Sequence, residues 1–266
     1  MNNKEFINKL LLQARAAALT VKDEEKGIEI QKGAYGDTTL KIDQVVESEI
    51  IKFVKTNRPK SRIVAEESGI IGDKSNEEIV LIDPIDGSTN AKNGIPFYST
   101  AIAISKGEYF DDIIASGVID LIRGEIIYCD KDNGVTVNGD KAKFRQVTNI
   151  EKAVIAFNSR IGFNSDLRIE RGMNNLIKMS KNSRLLGSSA LETAYIAIGR
   201  TDAFIEPMPR LRTFDIFPSL FMLKEAGGTF EFLNETELLI SGTDKYSYVA
   251  ANNEELCSEL SNLFRS

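Results

Sequence analysis

At 266 residues, with 42% hydrophobic and 27% charged side chains, the chain has the size and composition of a globular enzyme able to bury a substantial core. Its net charge of −6 argues against nucleic acid as the main ligand, and its longest apolar runs, such as Ile79–Ile82, fall far below the ~20 residues a membrane-spanning helix requires. The absence of histidine removes Ser-His-Asp and Cys-His nucleophile pairs and every His-ligated metal site, so catalysis must rest on carboxylates, hydroxyls, cations or a hard metal.

Along the chain, Phe6, Ile7, Leu10, Leu11, Ala14, Ala17, Ala18 and Val21 recur at helical spacing. Gln13 and Arg15 interrupt any signal-peptide core, so an amphipathic helix of the mature protein is expected. The polar turn Lys32-Gly33-Ala34-Tyr35-Gly36-Asp37 is a candidate mobile loop, and a second helix follows with Ile42, Val45, Val46, Ile50, Phe53 and Val54 on one face. Strands are predicted at Arg62–Ala65, Glu78–Ile82, Phe97–Ser105, Ala115–Ile119 and Glu125–Cys129, with Asn138-Gly139 as a hairpin turn. This first part reads as helices on a mainly antiparallel sheet.

Beyond about residue 150 the pattern becomes an α/β alternation: strand Ala153–Phe157, helix Asp166–Ser180, strand Arg184–Leu186, helix Ser188–Ile198, strand Ala203–Ile205, helix Phe214–Ala226. Strand Tyr248–Ala251 and a helix after Asn252-Asn253 complete it. The expectation is a single catalytic domain of two packed halves, 1–148 and 149–266, with a boundary near Val147–Lys152 that no flexible linker marks. Cys129 and Cys257 are too few and too separated for a disulfide framework or a thiolate metal site; buried thiols in a reducing cytoplasm are expected.

Chemistry-bearing residues gather in three places. The segment Ile79–Asn90 passes from an apolar strand into Asp83-Pro84-Ile85-Asp86-Gly87 and then into Ser88-Thr89-Asn90, reading as strand, tight turn and helix start. Pro84 is expected to stop the strand ladder, Gly87 to permit close backbone approach, and the helix's free N–H groups to face the same point as the acids. That combination suits a divalent cation on carboxylate oxygens beside a phosphate on N–H groups, although an ordinary Asp-Pro turn with a helix cap uses the same residues. Upstream, Glu66-Glu67 stand at the end of a predicted strand, where they read either as a site or as a solvated charge pair. Far downstream, Asp215 opens a helix carrying Phe217, Leu220, Phe221 and Leu223 and ending at Gly227-Gly228; alone it would be a cap.

Together the three segments resemble the inositol monophosphatase family in order and local spelling over nearly the whole chain. The family's first signature, Asp-Pro-Ile/Leu-Asp-Gly-Thr/Ser-Thr-Asn after a strand, is similar to Asp83–Asn90, and its upstream Glu-Glu-Ser to Glu66-Glu67-Ser68. Its second signature, an aromatic-Asp helix ending in Glu-Ala-Gly-Gly, is similar to Phe214-Asp215 and Glu225–Gly228. The resemblance implies a mixed α+β and α/β fold, a layered αβαβα sandwich of the inositol monophosphatase/fructose-1,6-bisphosphatase type. It implies Mg²⁺-dependent hydrolysis of a phosphomonoester by metal-activated water. Two or three Mg²⁺ ions would be held by Glu66, Asp83, the Ile85 carbonyl, Asp86 and Asp215, with Glu67 outside that set.

By the same resemblance Glu66, Asp43 and Ser88 would prepare the water, Asp86, Gly87 and Ser88 would meet substrate, and Lys32 and Asp37 would belong to a mobile flap. Ser88 stands where Thr is commoner, keeping the hydroxyl without the methyl that stiffens its rotamer. Asp43 reads equally as a solvent-facing helix residue beside the apolar stripe. Gly94–Ser99 and Arg210–Thr213 look like archaeal members that act on both inositol monophosphate and fructose 1,6-bisphosphate. By that analogy Arg184, Ser189 and Arg210 would bind substrate hydroxyls or a distal phosphate. The segment from Glu206 to Asp215 is longer than the family pattern, so the family's inositol-binding Glu is not carried onto Glu206. A cytoplasmic homodimer acting in carbohydrate metabolism is the family-level expectation.

Rival phosphatase chemistries lack their residues. Two residues separate Asp83 from Asp86, which is not the Asp-x-Asp of haloacid-dehalogenase enzymes, and Val135 and Leu263 occupy the positions where a cysteine phosphatase needs Arg. In Gly134–Asp140, Asp140 stands where a P-loop needs Lys. A 3′-phosphoadenosine 5′-phosphate phosphatase remains the alternative within this chemistry. A noncatalytic phosphosugar-binding scaffold is the alternative outside it.

Overall fold

A computed structural model describes residues 1–158 and 166–265. Helix α1 (Asn3–Thr20) begins at Asn2, whose side chain accepts the Glu5 N–H at 2.9 Å, and buries the predicted stripe from Phe6 to Ala18. After a short helix α2 (Asp23–Lys26), the expected polar loop is the turn of a hairpin formed by β1 (Glu29–Lys32) and β2 (Thr38–Leu40). All four β1 residues are exposed, so no alternation of burial was available to announce a strand. Helix α3 (Lys41–Asn57) then packs beside α1.

The first large sheet follows: β3 (Arg62–Ala65), β4 (Gly69–Ile71), β5 (Ile79–Asp86), and, after helix α4 (Ser88–Lys92), β6 (Ser99–Ser105), β7 (Ile113–Asp120), β8 (Ile126–Asp130), β9 (Gly134–Val137) and β10 (Asp140–Lys141). Its order is β10-β9-β8-β7-β6-β5-β3-β4, and only β3 and β5 pair in parallel. One expectation is corrected here. Pro84 does not end the strand: an irregularity spans Asp83 to Asp86, and the ladder resumes where Asp86 meets Ser99. A bulge absorbs the missing N–H, and Thr100 donates its hydroxyl to the Pro84 carbonyl at 2.6 Å.

The later sheet comprises β11 (Val154–Phe157), β12 (Asn182–Arg184), β13 (Ala203–Leu211), β14 (Thr229–Phe232) and β15 (Tyr246–Ala251) in the order β12-β11-β13-β15-β14. Between them run α5 (Leu167–Met179), α6 (Ser189–Ala197) and α7 (Thr213–Ala226), and α8 (Glu254–Arg265) ends the described chain. Strand β13 is far longer than its predicted Ala203–Ile205 core: Glu206 and Pro207 are still buried, and Met208–Leu211 continues past the buried stretch. Strand β14, only half-buried throughout, gave no pattern to read.

Alternating side chains explain the layering. On β5, Val80 and Ile82 pack under α1 and α3, whereas Ile79 and Leu81 face the cluster containing Ala190, Leu191, Phe214 and Phe217. That second cluster also takes Phe204 and Tyr248 from the later sheet, whose opposite face, Ile205 and Val249, packs on Leu176 and Leu260. The result is a five-layer αβαβα sandwich with α6 and α7 between the sheets. Cys129 and Cys257 are buried in different clusters as free thiols. No helix among the described residues is long and apolar enough to cross a membrane.

Candidate active site

The parallel pairing of β3 with β5 brings Glu66 beside Asp83. Ala65 registers with Ile82, and Glu66 donates its N–H to the Ile82 carbonyl at 3.3 Å, so both strands deliver acids at the same sheet edge. Helix α7 starts at that edge, and Asp215 in its first turn accepts the Arg212 N–H at 2.6 Å. The acids border a cavity of about 330 Å³ whose wall includes Glu66, Ile85, Asp86, Ser88 and Asp215.

Gly87 turns the chain from β5 into α4 with φ +93°, a conformation suited to glycine. A Cβ there would lie 3.0 Å from the Gly187 carbonyl and 3.2 Å from the Tyr98 Cβ, so the turn admits neither a different conformation nor a side chain cheaply. Asp86, at the end of the bulge, directs Oδ2 to the Ser188 hydroxyl at 2.5 Å and the Ala190 N–H at 2.8 Å. Asp83 is fully buried, and neither of its carboxylate oxygens has a hydrogen-bond partner. Asp43, also buried, accepts the Leu40 N–H through Oδ2 at 2.8 Å and leaves Oδ1 unpartnered. The solvent-facing alternative for Asp43 is thereby corrected: α3 turns this residue inward with its apolar neighbours.

These groups hold one another's charge down. Burial, then the charges of Glu66, Asp86, Asp215 and Asp43, pushes the Asp83 carboxyl well above its usual value. Burial, then Asp215, Asp43, Glu67 and Glu47, does the same to Glu66. Asp43 rises to about 8, chiefly through burial, against the pull of the Leu40 N–H. Asp215 rises to about 7 and Asp86 only to about 6, because the Ser188 hydroxyl and nearby amides oppose the burial of the latter. A fully buried carboxylate without a donor calls for a proton or a cation, and the donor set here is entirely hard oxygen, which fits Mg²⁺. Among the described residues no three acids already form a closed coordination shell. Like charges have no reason to converge further without a cation between them.

The cavity wall also includes Ser189 and Arg210, together with Asn158, which the sequence reading left out, and Glu206, which it named without assigning a role. Asn158 donates to Glu206 Oε2 at 2.7 Å and to the Ser189 hydroxyl at 3.3 Å. The place of Asn158 immediately after β11, at the carboxyl end of a central parallel strand, is the signal that could have found it. Glu206, in β13, is buried against the cavity despite the longer segment that follows it. Arg184 is elsewhere: it is exposed on the edge strand β12, outside the cavity wall, and bonds the Ser183 carbonyl at 2.9 Å.

The hairpin tip reaches the cavity through Asp37, while Lys32 is exposed and turns back toward the Gly36 carbonyl at 3.4 Å. Arg212, also unforeseen, ties this tip down. Its guanidinium pairs with Asp37, donates to the Tyr35 carbonyl at 3.0 Å, and lies 5.1 Å from the Tyr35 ring centroid. Tyr35 in turn packs on Phe214 at 5.5 Å. Glu67 faces away from the cluster's floor, accepting the Thr39 hydroxyl, and its N–H is held by Glu47 at 2.8 Å.

Known proteins carry the same architecture. The model of the inositol monophosphatase family matches residues 2–265. A fructose-1,6-bisphosphatase/inositol-1-monophosphatase of Methanothermobacter thermautotrophicus is 29% identical over 91% of this chain and 89% of its own length. A bifunctional NADP phosphatase/NAD kinase of Methanococcus maripaludis is 31% identical over 90% of this chain, which spans 45% of that longer protein. A solved inositol monophosphatase-fructose 1,6 bisphosphatase superposes with a TM-score of 0.85 at 27% identity, covering 99% of this chain and all of the other.

Proposed function

The chain belongs to the inositol monophosphatase family and is a phosphoric monoester hydrolase, and we propose that it removes phosphate from inositol monophosphate, fructose 1,6-bisphosphate or both, with Mg²⁺ held by Glu66, Asp83, the Ile85 carbonyl, Asp86 and Asp215. The observation that carries this reading is Asp83: two unpartnered oxygens on a fully buried carboxylate, raised by the charges of Glu66, Asp86 and Asp215, three acids that themselves line an open cavity. Bound there, Mg²⁺ supplies positive charge for the phosphate oxygens and lowers the pKa of a water molecule. Two or three ions is what the family resemblance implies.

The chain's own residues then have separable tasks. Asp86 lines the cavity while its Oδ2 accepts from the Ser188 hydroxyl and the Ala190 N–H. We assign the proton released from the attacking water to Glu66 or to Asp43 acting through the Ser88 hydroxyl; Ser88 and Glu66 on the cavity wall and the unpartnered Oδ1 of Asp43 support this. Asn158, Ser189 and Glu206 form a polar wall suited to the hydroxyls of a polyol or sugar, and Arg210 adds a positive charge for a second phosphate. The flap formed by Lys32–Asp37 closes the cavity mouth. We extend the family resemblance to a homodimer, which sedimentation of the purified chain would test.

The decisive experiment measures phosphate release from inositol 1-phosphate, fructose 1,6-bisphosphate, 3′-phosphoadenosine 5′-phosphate and NADP, with Mg²⁺ and with a chelator. The expected result is Mg²⁺-dependent release from the first two. A nucleotide turned over far better than either would overturn the substrate assignment, and no release from a broad phosphate-ester panel would favour the scaffold.

A further inference from the structure

We propose that Glu192, a residue outside the cavity, is a positioning residue that fixes the orientation of Asp86 through the turn Leu186–Ser188. The inference rests on Asp86 being a metal ligand. Glu192 lies in α6 and is fully buried. Its Oε1 accepts the Leu186 N–H at 3.2 Å, and its Oε2 accepts the Gly187 and Ser188 N–H groups at 3.1 and 3.2 Å. One side chain thus satisfies three successive backbone amides.

The opposite side of the turn is held from the start of α4, just after the strand that carries Asp83 and Asp86. Asn90 donates to the Leu186 carbonyl at 2.6 Å, and the Gly187 carbonyl presses against Gly87. Gly187 itself has φ +84°, so the turn depends on a conformation that needs external fixing.

The reason for this arrangement lies in an exchange of capping partners. Ser188 is the N-cap of α6, where a serine hydroxyl ordinarily accepts an N–H of its own helix. Here it makes no such bond. Instead its hydroxyl donates to Asp86 Oδ2, and the Ala190 N–H that it would otherwise cap goes to the same oxygen. Asp86 therefore caps α6 from another part of the chain. The hydroxyl donor to Oδ2 is carried by the turn and the Ala190 N–H by the helix start that follows it, and the turn's amides are held by Glu192. Releasing Glu192 frees Ser188 to cap its own helix, and the Asp86 carboxylate loses the hydroxyl donor that fixes its orientation at the cavity wall.

The test is calorimetric titration of Mg²⁺ into the full-length, substrate-free protein, for the wild type, Glu192→Gln, Ser188→Ala, the double variant and Asp86→Asn. The amide nitrogen of Gln cannot accept, so at least one of the three N–H groups loses its partner. Glu192→Gln is expected to weaken Mg²⁺ binding about 10-fold, in the range for groups that orient a metal ligand. The double variant is expected to lose no more than the worse single one, because both substitutions act on the same oxygen of Asp86. A purely structural Glu192 would lower the melting temperature of the metal-free protein yet leave the Kd of the folded protein unchanged, which overturns the proposal. Fully additive losses overturn it too. If Glu192→Gln does not fold, Glu192→Asp, which keeps the charge with a shorter reach, is read in its place against the same criteria. Wild-type affinity in Asp86→Asn would instead remove Asp86 from the metal site and so overturn the reading beneath.

Discussion

Asp215→Asn separates two roles that the structure superimposes on one carboxylate. Asp215 caps α7 through the Arg212 N–H and also faces the cavity. Asn keeps an acceptor oxygen for the 2.6 Å cap bond, so a residue that only caps predicts no change. Burial raises Asp215 to about 7 from 3.8 in the metal-free protein. With the folded value raised, its contribution is fully present below about 3.8 and is lost as pH rises through about 7, when a buried charge must be carried. The metal-free variant should therefore be at least as stable as the wild type at pH 8. Loss of a ligand charge should weaken Mg²⁺ binding by ~100-fold or more. At an Mg²⁺ concentration ~100-fold above the wild-type Kd, binding stabilises the wild type by about 2.7 kcal/mol; for a ~100-fold weaker site about 0.4 kcal/mol remains. At roughly 2–4 °C per kcal/mol for a chain near this size, the Mg²⁺-induced rise in Tm should fall from ~5–10 °C to ~1–2 °C. Scanning calorimetry with and without Mg²⁺ reads this directly. A folded variant showing the wild-type Mg²⁺ shift and wild-type turnover would refute the assignment.

Three further outcomes are expected. Arg212→Gln removes charge-assisted bonds to Asp37 and Tyr35 worth about 1.5–3 kcal/mol, so hydrogen exchange at the Gly33, Ala34 and Gly36 amides should quicken about 10-fold or more. Substrate with Mg²⁺ should slow exchange of the same amides in the wild type, and unchanged rates in either comparison would detach the hairpin from catalysis. Arg210→Ala should lower kcat/KM for fructose 1,6-bisphosphate at least ~10-fold more than for inositol 1-phosphate, and equal losses would assign Arg210 to the structure alone. Glu78 is raised by burial but lowered further by Lys106, Ser61 and Arg58, for a net fall below its usual 4.5. Its contribution is present above that value and lost as pH falls through the folded pKa, so the stability gap between wild type and Glu78→Gln, about 1–3 kcal/mol at pH 7, should close in acid. Urea midpoints followed down to about pH 3 check this, and a gap independent of pH would contradict it.

Much of the architecture was legible in one dimension because burial imposes a period. The stripe Phe6–Ala18 on α1 reports which face meets the core, the unbroken apolar run Ile79–Ile82 marks a strand buried on both faces, and Asp83–Asn90 spells out a strand, turn and helix start. The exposed strand β1, the half-buried β14 and the extension of β13 over Met208–Leu211 were silent for the converse reason: none of them buries a regular set of side chains. Pro84 shows a local rule yielding to tertiary pairing, since β6 accommodates the missing N–H through a bulge.

The candidate site divides along the same line. Carboxylates carry their chemistry in the residue type, so Glu66, Asp83, Asp86 and Asp215 could be named from the sequence, and family resemblance grouped them. Their meeting depends on the parallel register of β3 with β5 and on the start of α7 at the same sheet edge, neither of which any local spacing encodes. The partners that orient them are subtler still. In the sequence Ser188 is the first residue of a predicted helix, Arg212 one member of the Arg210–Thr213 run, and Glu192 a residue that nothing local singles out. Only packing reveals that Ser188 caps nothing of its own, that Arg212 clasps a hairpin from far upstream, and that Glu192 is fully buried beneath three backbone amides. A hydrogen bond joins whatever the fold brings within about 3 Å, and sequence separation sets no limit on that distance.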